Sequence, residues 1–154
     1  MRVIVSRPLA RSLGDELALE LASDFQTYKM DQANEFGRIF GRDKGFLFPE
    51  IVVKNGLQHV HMEEQAVERQ WEAVWERNGP QDDYTSDKIL VYGGIPDLTY
   101  PPHLHPIMLV DILTPLGHKL MDDLSGMRAM GEAFIEESQA YSIRLPAHKW
   151  IYTK

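Results

Sequence analysis

Residues 50–61 constrain the fold of this chain more than any other stretch. They read Glu-Ile-Val-Val-Lys-Asn-Gly-Leu-Gln-His-Val-His. An Asn-Gly pair between two β-rich runs is the sequence signal of a two-residue hairpin turn. Such a turn would pair Glu50 with His61, and alternate side chains would point to opposite faces of the two strands. The pattern therefore predicts a β-hairpin over residues 50–61.

The two faces of this predicted hairpin differ in chemistry. One would be apolar and belong to a core, with Ile51, Val53, Val60 and Met62. The other would be mixed, with Glu50, Val52, Lys54, Leu57, His59 and His61. Imidazole groups gain and lose protons near neutral pH, so the mixed face holds groups suited to proton transfer.

Length and composition limit the class of protein. A chain of 154 residues suits one domain with an adequate core. The absence of cysteine excludes disulfides and thiolate chemistry. No apolar run reaches the roughly 18 residues that a membrane span needs, and the run after Met1 is too short for a signal peptide. We therefore expect a cytoplasmic protein with no membrane partner.

The net charge of −7 is unevenly distributed. Residues 62–87 hold eight acidic and two basic residues, so almost all of the excess acid lies in this segment. A uniformly acidic protein would be a poor partner for a polyanion. Concentrating the acid in one helix and loop leaves the rest of the chain able to present a basic surface to nucleic acid.

The order of predicted elements indicates an α+β fold with an antiparallel sheet. Apolar residues at helical spacing predict a helix over 12–30 with Ser12 as its N-cap, and a second short helix is expected over 31–38. The remaining expected elements are a charged turn at 40–45, a helix at 63–77, strands at 1–5, 88–93 and 107–113, and a final helix at about 119–138. Nothing divides the chain, so we expect a single domain over 1–154.

Two segments leave alternatives open. The helix over 63–77 carries an apolar stripe that includes Trp71 and Trp75, and this stripe either packs on the domain or docks a partner. The C-terminal extension, residues 139–154, is basic and aromatic. It is either a docked extra strand or a flexible arm.

Several stretches, taken in order over about residues 10–136, resemble the YafO toxins of bacterial type II toxin–antitoxin systems. The most distinctive are Phe-Gly-Arg-Asp at 40–43 and His-Lys-Leu at 118–120. The others are Asp24-Phe25, Tyr28-Lys29, His59-Val60-His61, Leu90-Val91-Tyr92, Ile112-Leu113 and Met130-Gly131-Glu132-Ala133-Phe134.

The resemblance implies an endoribonuclease that cleaves mRNA on the translating ribosome and is held inactive by a cognate antitoxin. It also implies a RelE-like fold, in which N-terminal helices pack on a small antiparallel sheet, here with an additional C-terminal helix. The chain departs from the family in two ways. Residues 62–87 are more acidic than such a toxin would be expected to be, and the C-terminal extension lies beyond the matched stretches.

Cleavage of RNA by its own 2′-hydroxyl needs a base, an acid and a cation, and requires neither a metal nor another cofactor. His59 and His61 share a strand face, so either can serve as base or acid. In a RelE-like sheet, His118 and Lys119 would follow the last core strand at the opening of the cleft, where His118 could donate a proton and Lys119 could stabilise phosphate charge. These four residues are the expected catalytic group.

Arg42, Lys54 and Tyr92 are the expected RNA-binding residues: Arg42 for a bidentate phosphate contact, Lys54 as the amine of the mixed hairpin face, and Tyr92 for stacking on a base. Structural roles compete with each of these assignments. Arg42 could pair with an acid, Tyr92 could pack in the sheet, and the histidines could be ordinary half-buried polar residues. A His-x-His zinc or iron site would need a third ligand such as Glu50 or Asp111.

Two other functions remain open from sequence. A RelE-like scaffold can act by binding alone, as in toxins that poison DNA gyrase, and the mixed face would then be a protein interface. The acidic helix could also have diverted the chain from RNA, which would leave a binding module. Growth arrest with intact mRNA would indicate the first, and failure to associate with ribosomes at low salt would indicate the second.

Overall fold

One open sheet forms the centre of the molecule, as seen in a computed structural model that describes residues 1–96, 99, 101–142 and 149–154. Its strands are β1 (Val3–Val5), β2 (Phe40–Gly45), β3 (Gln58–Met62), β4 (Ile89–Gly94), β5 (Ile107–Leu113) and β6 (Ile151–Tyr152). They lie in the order β2-β3-β4-β5-β1-β6. β1 runs parallel to β5, whereas the other neighbours are antiparallel. The fold is therefore mixed α/β, and the expectation of a purely antiparallel sheet was wrong.

Seven α-helices surround this sheet in the described part of the chain. They are α1 (Arg7–Leu13), α2 (Asp15–Met30), α3 (Gln32–Glu35), α4 (Glu50–Lys54), α5 (Glu68–Glu76), α6 (Gly117–Met121) and α7 (Leu124–Ser142). Short 3-10 turns lie at Gln65–Val67, Gln81–Asp83 and Pro102–Leu104. No described helix has the length and apolar character needed to cross a membrane.

The N-terminal helices differ from the single predicted helix. Ser6 caps α1 by accepting a hydrogen bond from the backbone N–H of Leu9. Gly14 then separates α1 from α2, because its φ of +85° lies in a region that glycine adopts without steric cost. Ser12, the predicted N-cap, lies inside α1. The apolar spacing predicted one uninterrupted helix over 12–30, whereas Gly14 separates two helices.

Two apolar layers cover the two faces of the sheet. One layer joins α1 and α2 to the strands and includes Phe25 and Val60. The other joins α4 and α7 to the opposite face and includes Val52, Val91 and Phe134. N-terminal helices therefore pack on the sheet as predicted, and the C-terminal helix closes the other side.

The predicted hairpin is the main error of the sequence analysis. Residues 50–54 form α4 instead of a strand, and Asn55 ends this helix with its N–H bonded to the carbonyl of Ile51. Val52, placed on the mixed face by the hairpin register, is fully buried in the layer beneath α7. β3 pairs with β4 and with β2, which occupies the stretch predicted as a charged turn. Burial of the α4 apolar side chains against α7 outweighs the local preference of the Asn-Gly pair for a hairpin.

Predictions for the later elements agree better with the structure. β4 and β5 coincide with the strands expected at 88–93 and 107–113, and α5 lies inside the helix expected at 63–77. Only part of its apolar stripe packs on the domain: Trp71 is buried, whereas Trp75 is exposed. At the C-terminus, β6 pairs with β1, and the Thr153 hydroxyl accepts a bond from the Val3 N–H. The end of the extension is thus a docked strand; residues 143–148 lie outside the described residues.

Candidate active site

β3 carries two histidines to the same face of the sheet. His59 lies opposite Lys44 of β2 and Val91 of β4, and His61 lies opposite Ile89. The intervening Val60 points to the other face, into the layer formed by α1 and α2. The alternation expected for His59 and His61 is therefore present, although the neighbouring strands supply their partners instead of a hairpin arm.

α6 brings a third imidazole to this face. The carboxylate of Asp87, just before β4, accepts hydrogen bonds from the backbone N–H of His118 and from its ring Nδ1, both at 2.8 Å. The Asp87 carbonyl accepts the N–H of Gly117 at 2.8 Å. Leu116, immediately before, has a left-handed φ of +61°, an unusual conformation for leucine that accompanies this anchored turn. These contacts fix the position of His118 beside β3.

The three rings form a continuous row, which we call the histidine row (His59, His61 and His118). Ring centroids of His59 and His61 are 6.0 Å apart, and those of His61 and His118 are 5.1 Å apart. The row borders a groove of about 690 Å³ whose other lining residues include Arg42. Sequence positions 42, 59, 61 and 118 thus meet in one open site.

Burial sets the protonation of the two strand histidines. Burial first, and then the nearby His118, His59 and Arg42, lower the pKa of His61 to about 4. The pKa of His59 is also lowered, again chiefly by burial. The backbone N–H of Ser86 donates to Nδ1 of His61 at 2.8 Å, so the proton of this neutral ring resides on Nε2. Both rings are therefore neutral at pH 7.

His118 differs because it is exposed and is paired with a carboxylate. Its hydrogen bonds, first the backbone N–H and then the ring, hold the pKa of Asp87 below its usual range. An aspartate on Nδ1 orients the ring and leaves Nε2 free to exchange a proton in the groove. Sequence reasoning missed Asp87, since the two residues are 31 positions apart and no local pattern joins them.

The Phe-Gly-Arg-Asp stretch holds the groove wall in place. Phe40 is buried in the core, and Arg42 reaches the groove while its backbone N–H donates to the carbonyl of Tyr84 at 2.9 Å. Asp43 accepts hydrogen bonds from Tyr28 (2.7 Å), Lys29 (2.8 Å) and Tyr92 (2.5 Å). Phe40 and Asp43 thus have structural roles, and Arg42 is the residue of this stretch that lines the groove.

Three of the seven predicted site residues do not line the groove. Tyr92 is 4% exposed, and its hydroxyl is bonded to Asp43, so its ring is part of the core. Lys54 lies on α4, beside other depressions of the surface. Lys119 follows His118 in α6 and is exposed, but it does not line the groove. The structure thus brings together four of the seven predicted residues.

Within the described residues, no three histidine, aspartate or glutamate side chains are arranged to hold a metal ion. The third ligands considered from sequence are on other elements: Glu50 begins α4, and Asp111 lies in β5.

Comparison with known proteins identifies a family. The model of the family described as toxin YafO, type II toxin–antitoxin system, matches residues 26–136, well over half of the chain. No curated protein and no solved structure matches. The match includes β2, β3, β4, β5 and α6, and with them every residue of the histidine row and Arg42. The chain therefore belongs to the YafO toxin family of type II toxin–antitoxin systems.

Proposed function

We propose that this toxin is a ribosome-dependent mRNA endoribonuclease with a RelE-like fold. The observation that carries the proposal is the row of three imidazoles beside Arg42 in an open groove. The three rings adjoin one another and line the same groove as Arg42. The N-terminal helices on one face of the sheet and the antiparallel order β2-β3-β4-β5 support the RelE-like relation.

The proposed reaction is an internal transfer at phosphorus. A base takes the proton of a ribose 2′-hydroxyl, whose oxygen attacks the adjacent phosphate. The bond from phosphorus to the 5′-oxygen of the next nucleotide breaks, and an acid protonates that oxygen. The products are a 2′,3′-cyclic phosphate and a free 5′-hydroxyl. Arg42 supplies positive charge to the phosphate as its charge develops.

The contacts of each ring suggest how these roles are divided. His59 has a lowered pKa and lines the groove, so its neutral ring suits the role of base. His118, held through Nδ1 by Asp87, presents Nε2 and suits the role of acid. His61 lies between them as a neutral donor at Nε2. We assign these roles as part of the proposal.

Translation-coupled cleavage tests the function directly. A reporter mRNA is translated in a purified system, with and without ribosomes, and its cleavage is followed for the parent chain and for His59→Ala, His61→Ala and His118→Ala. Loss of an acid or base should slow cleavage by roughly 10²-fold or more. His103→Ala is the matched control, because His103 is exposed in the loop at the other end of β4 and β5.

The results distinguish the functions considered above. Equal cleavage by all four variants, at equal folded fraction, would reject the histidine row as the active site. Growth arrest by the parent with intact mRNA and altered DNA supercoiling would reject the nuclease and favour action on gyrase.

Asp87→Asn tests the arrangement within the site. Asparagine can still accept the backbone N–H of His118 through its side-chain oxygen, but it removes the carboxylate charge that lies against the ring. We expect the maximal cleavage rate to fall about tenfold to a hundredfold with little change in KM for programmed ribosomes. A change in KM alone would mean that Asp87 acts on ribosome binding and not on His118.

Membership of the family implies a cognate antitoxin partner. We propose that the antitoxin acts by covering the histidine row, and that the toxin acts in the cytoplasm, where translating ribosomes present mRNA. Purified antitoxin should then protect the groove from solvent in hydrogen exchange and abolish cleavage at stoichiometric amounts. Protection confined to α2 would contradict this arrangement.

A further inference from the structure

One wall of the groove is an exposed apolar segment that the proposed chemistry does not use. The chain leaves β2 through Phe46, Leu47 and Phe48, all of which line the groove. Leu47 is 92% exposed and Phe48 is 53% exposed, which is costly for apolar side chains in water. We call Phe46 and Phe48 the aromatic wall. Exposed rings beside the histidine row are suited to binding a ligand that has a flat apolar face.

The aromatic wall adjoins the histidine row directly. The Phe46 ring lies 4.7 Å from the His59 ring, centroid to centroid, with a 44° angle between the planes. Arg42 and Lys44 line the same groove, and Lys44 is held by Asp82 at 2.9 Å. The site thus combines an aromatic surface with cationic and proton-transferring groups. A nucleotide has the complementary combination, a flat base joined through ribose to a phosphate.

From this arrangement we infer that the aromatic wall is a nucleobase subsite, which holds one unstacked base of single-stranded RNA next to the phosphate at the histidine row. The inference rests on the proposed function and adds to it the side chains that hold one base of the RNA. Charge favours RNA over an apolar protein segment here, since Arg42 has no acidic partner among the described residues. Stacking accepts any base, so the wall would give affinity with modest sequence preference.

A binding experiment that does not depend on cleavage tests the subsite. The probe is a short single-stranded RNA with 2′-O-methyl riboses, which cannot be cleaved, and with one 2-aminopurine base whose fluorescence is quenched by stacking. At low salt the parent should bind it and quench it. Phe48→Leu, which keeps an apolar side chain without a ring, should bind roughly tenfold more weakly and lose the quenching. Phe48→Trp should retain both.

Trp75→Ala is the matched control, because Trp75 is an equally exposed aromatic residue, 51%, on α5. It should bind and quench as the parent does. Equal binding and quenching by Phe48→Leu and the parent would overturn the subsite, as would a parent that fails to quench the probe. Loss of antitoxin binding in Phe48→Leu with unchanged RNA binding would also overturn it, in favour of a protein occupant.

The outcomes separate the subsite from the proposed function. A parent that cleaves mRNA on ribosomes but does not quench the probe refutes the subsite alone. A parent that quenches the probe through Phe48 but leaves mRNA intact during translation refutes the nuclease and leaves an RNA-binding groove.

Discussion

At the scale of single residues, the neutral His61 is the most constrained group of the histidine row. It is 3% exposed, and its Nδ1 accepts the Ser86 N–H. Protonation of Nδ1 would break this bond and place a charge beside two other imidazoles and Arg42. The folded protein therefore resists binding a proton at His61, although the unfolded chain binds one readily.

This resistance predicts a pH dependence of stability. The pKa of His61 falls from 6.5 in the unfolded chain to about 4 in the folded protein. Between these values the unfolded chain binds more protons, so the free energy of unfolding decreases as the pH falls from 6.5 towards 4. Because the ring borders an open groove, we expect the His61 part of this decrease to be about 1–2 kcal/mol.

His61→Asn should remove that part of the pH dependence, since the asparagine oxygen accepts the Ser86 N–H but does not titrate. Urea unfolding of both proteins at pH 7 and pH 5 measures it. His59, whose pKa is also lowered, is present in both proteins. The same loss of stability in parent and variant would show that His61 is accessible to protons in the folded state.

At the scale of residues, sequence predicted the position of a side chain where one local rule was enough. Strand alternation placed His59 and His61 on one face, and the resemblance supplied His118 and Arg42. Tyr92 was predicted to bind RNA because the sequence does not show which face of the sheet its ring lies on. In the structure its hydroxyl donates to Asp43. Asp87 was missed because its role depends on a turn formed by residues 114–118.

At the scale of elements, the same local signal had two meanings. An Asn-Gly pair suits a hairpin turn, but it also suits the end of a helix, where Asn55 lies here. Here residues 50–54 form a helix because Val52 is buried under α7. This tertiary contact cannot be read from the local sequence. The sequence of β2 did not predict a strand, because its glycine and charged residues are typical of a turn. In the structure Asp43 is paired with Lys29 and Tyr28, and these contacts are not evident from the sequence.

Gly41 shows how tightly β2 is fitted to its neighbours. A Cβ at this position would lie 2.3 Å from the carbonyl oxygen of Tyr84, which is backbone and cannot rotate away. We therefore expect Gly41→Ala to reduce the free energy of unfolding by about 2–3 kcal/mol. The displaced strand should also slow mRNA cleavage, because Arg42 and Lys44 follow directly.

Gly45→Ala is the matched control in the same strand. A Cβ there would meet no atom within 4 Å, so we expect a change in stability below about 0.5 kcal/mol. Chemical unfolding of the two variants and the parent measures the difference. Equal destabilisation by both substitutions would mean that glycine is needed in β2 for backbone freedom and not for the close approach to Tyr84.

At the scale of the whole molecule, negative charge that would weaken binding to ribosomal RNA is concentrated on one helix, α5. Glu68, Glu72 and Glu76 are exposed on α5. Trp71 of the same helix donates from its ring N–H to the carbonyl of Thr85 at 2.8 Å, and Thr85 lines the groove. α5 is thus fixed beside the groove, where its carboxylates would repel the RNA of the proposed substrate.

Neutralising this helix should therefore strengthen binding to ribosomes. We expect Glu68→Gln with Glu72→Gln to raise the affinity for 70S ribosomes by about twofold to fivefold at low salt, and the gain should vanish at high salt as screening removes the repulsion. Sedimentation with ribosomes across a salt series measures both effects.

Glu16→Gln with Glu20→Gln makes the same change in net charge on α2. These residues are exposed with the same spacing, but α2 packs on the opposite face of the sheet from the histidine row. The α2 variant should bind ribosomes as the parent does. Equal gains from both pairs would mean that net charge alone governs association. An unchanged ribosome affinity in the α5 variant would mean that α5 lies away from ribosomal RNA. Trp75 and its acidic neighbours could then contact a protein while the groove holds RNA.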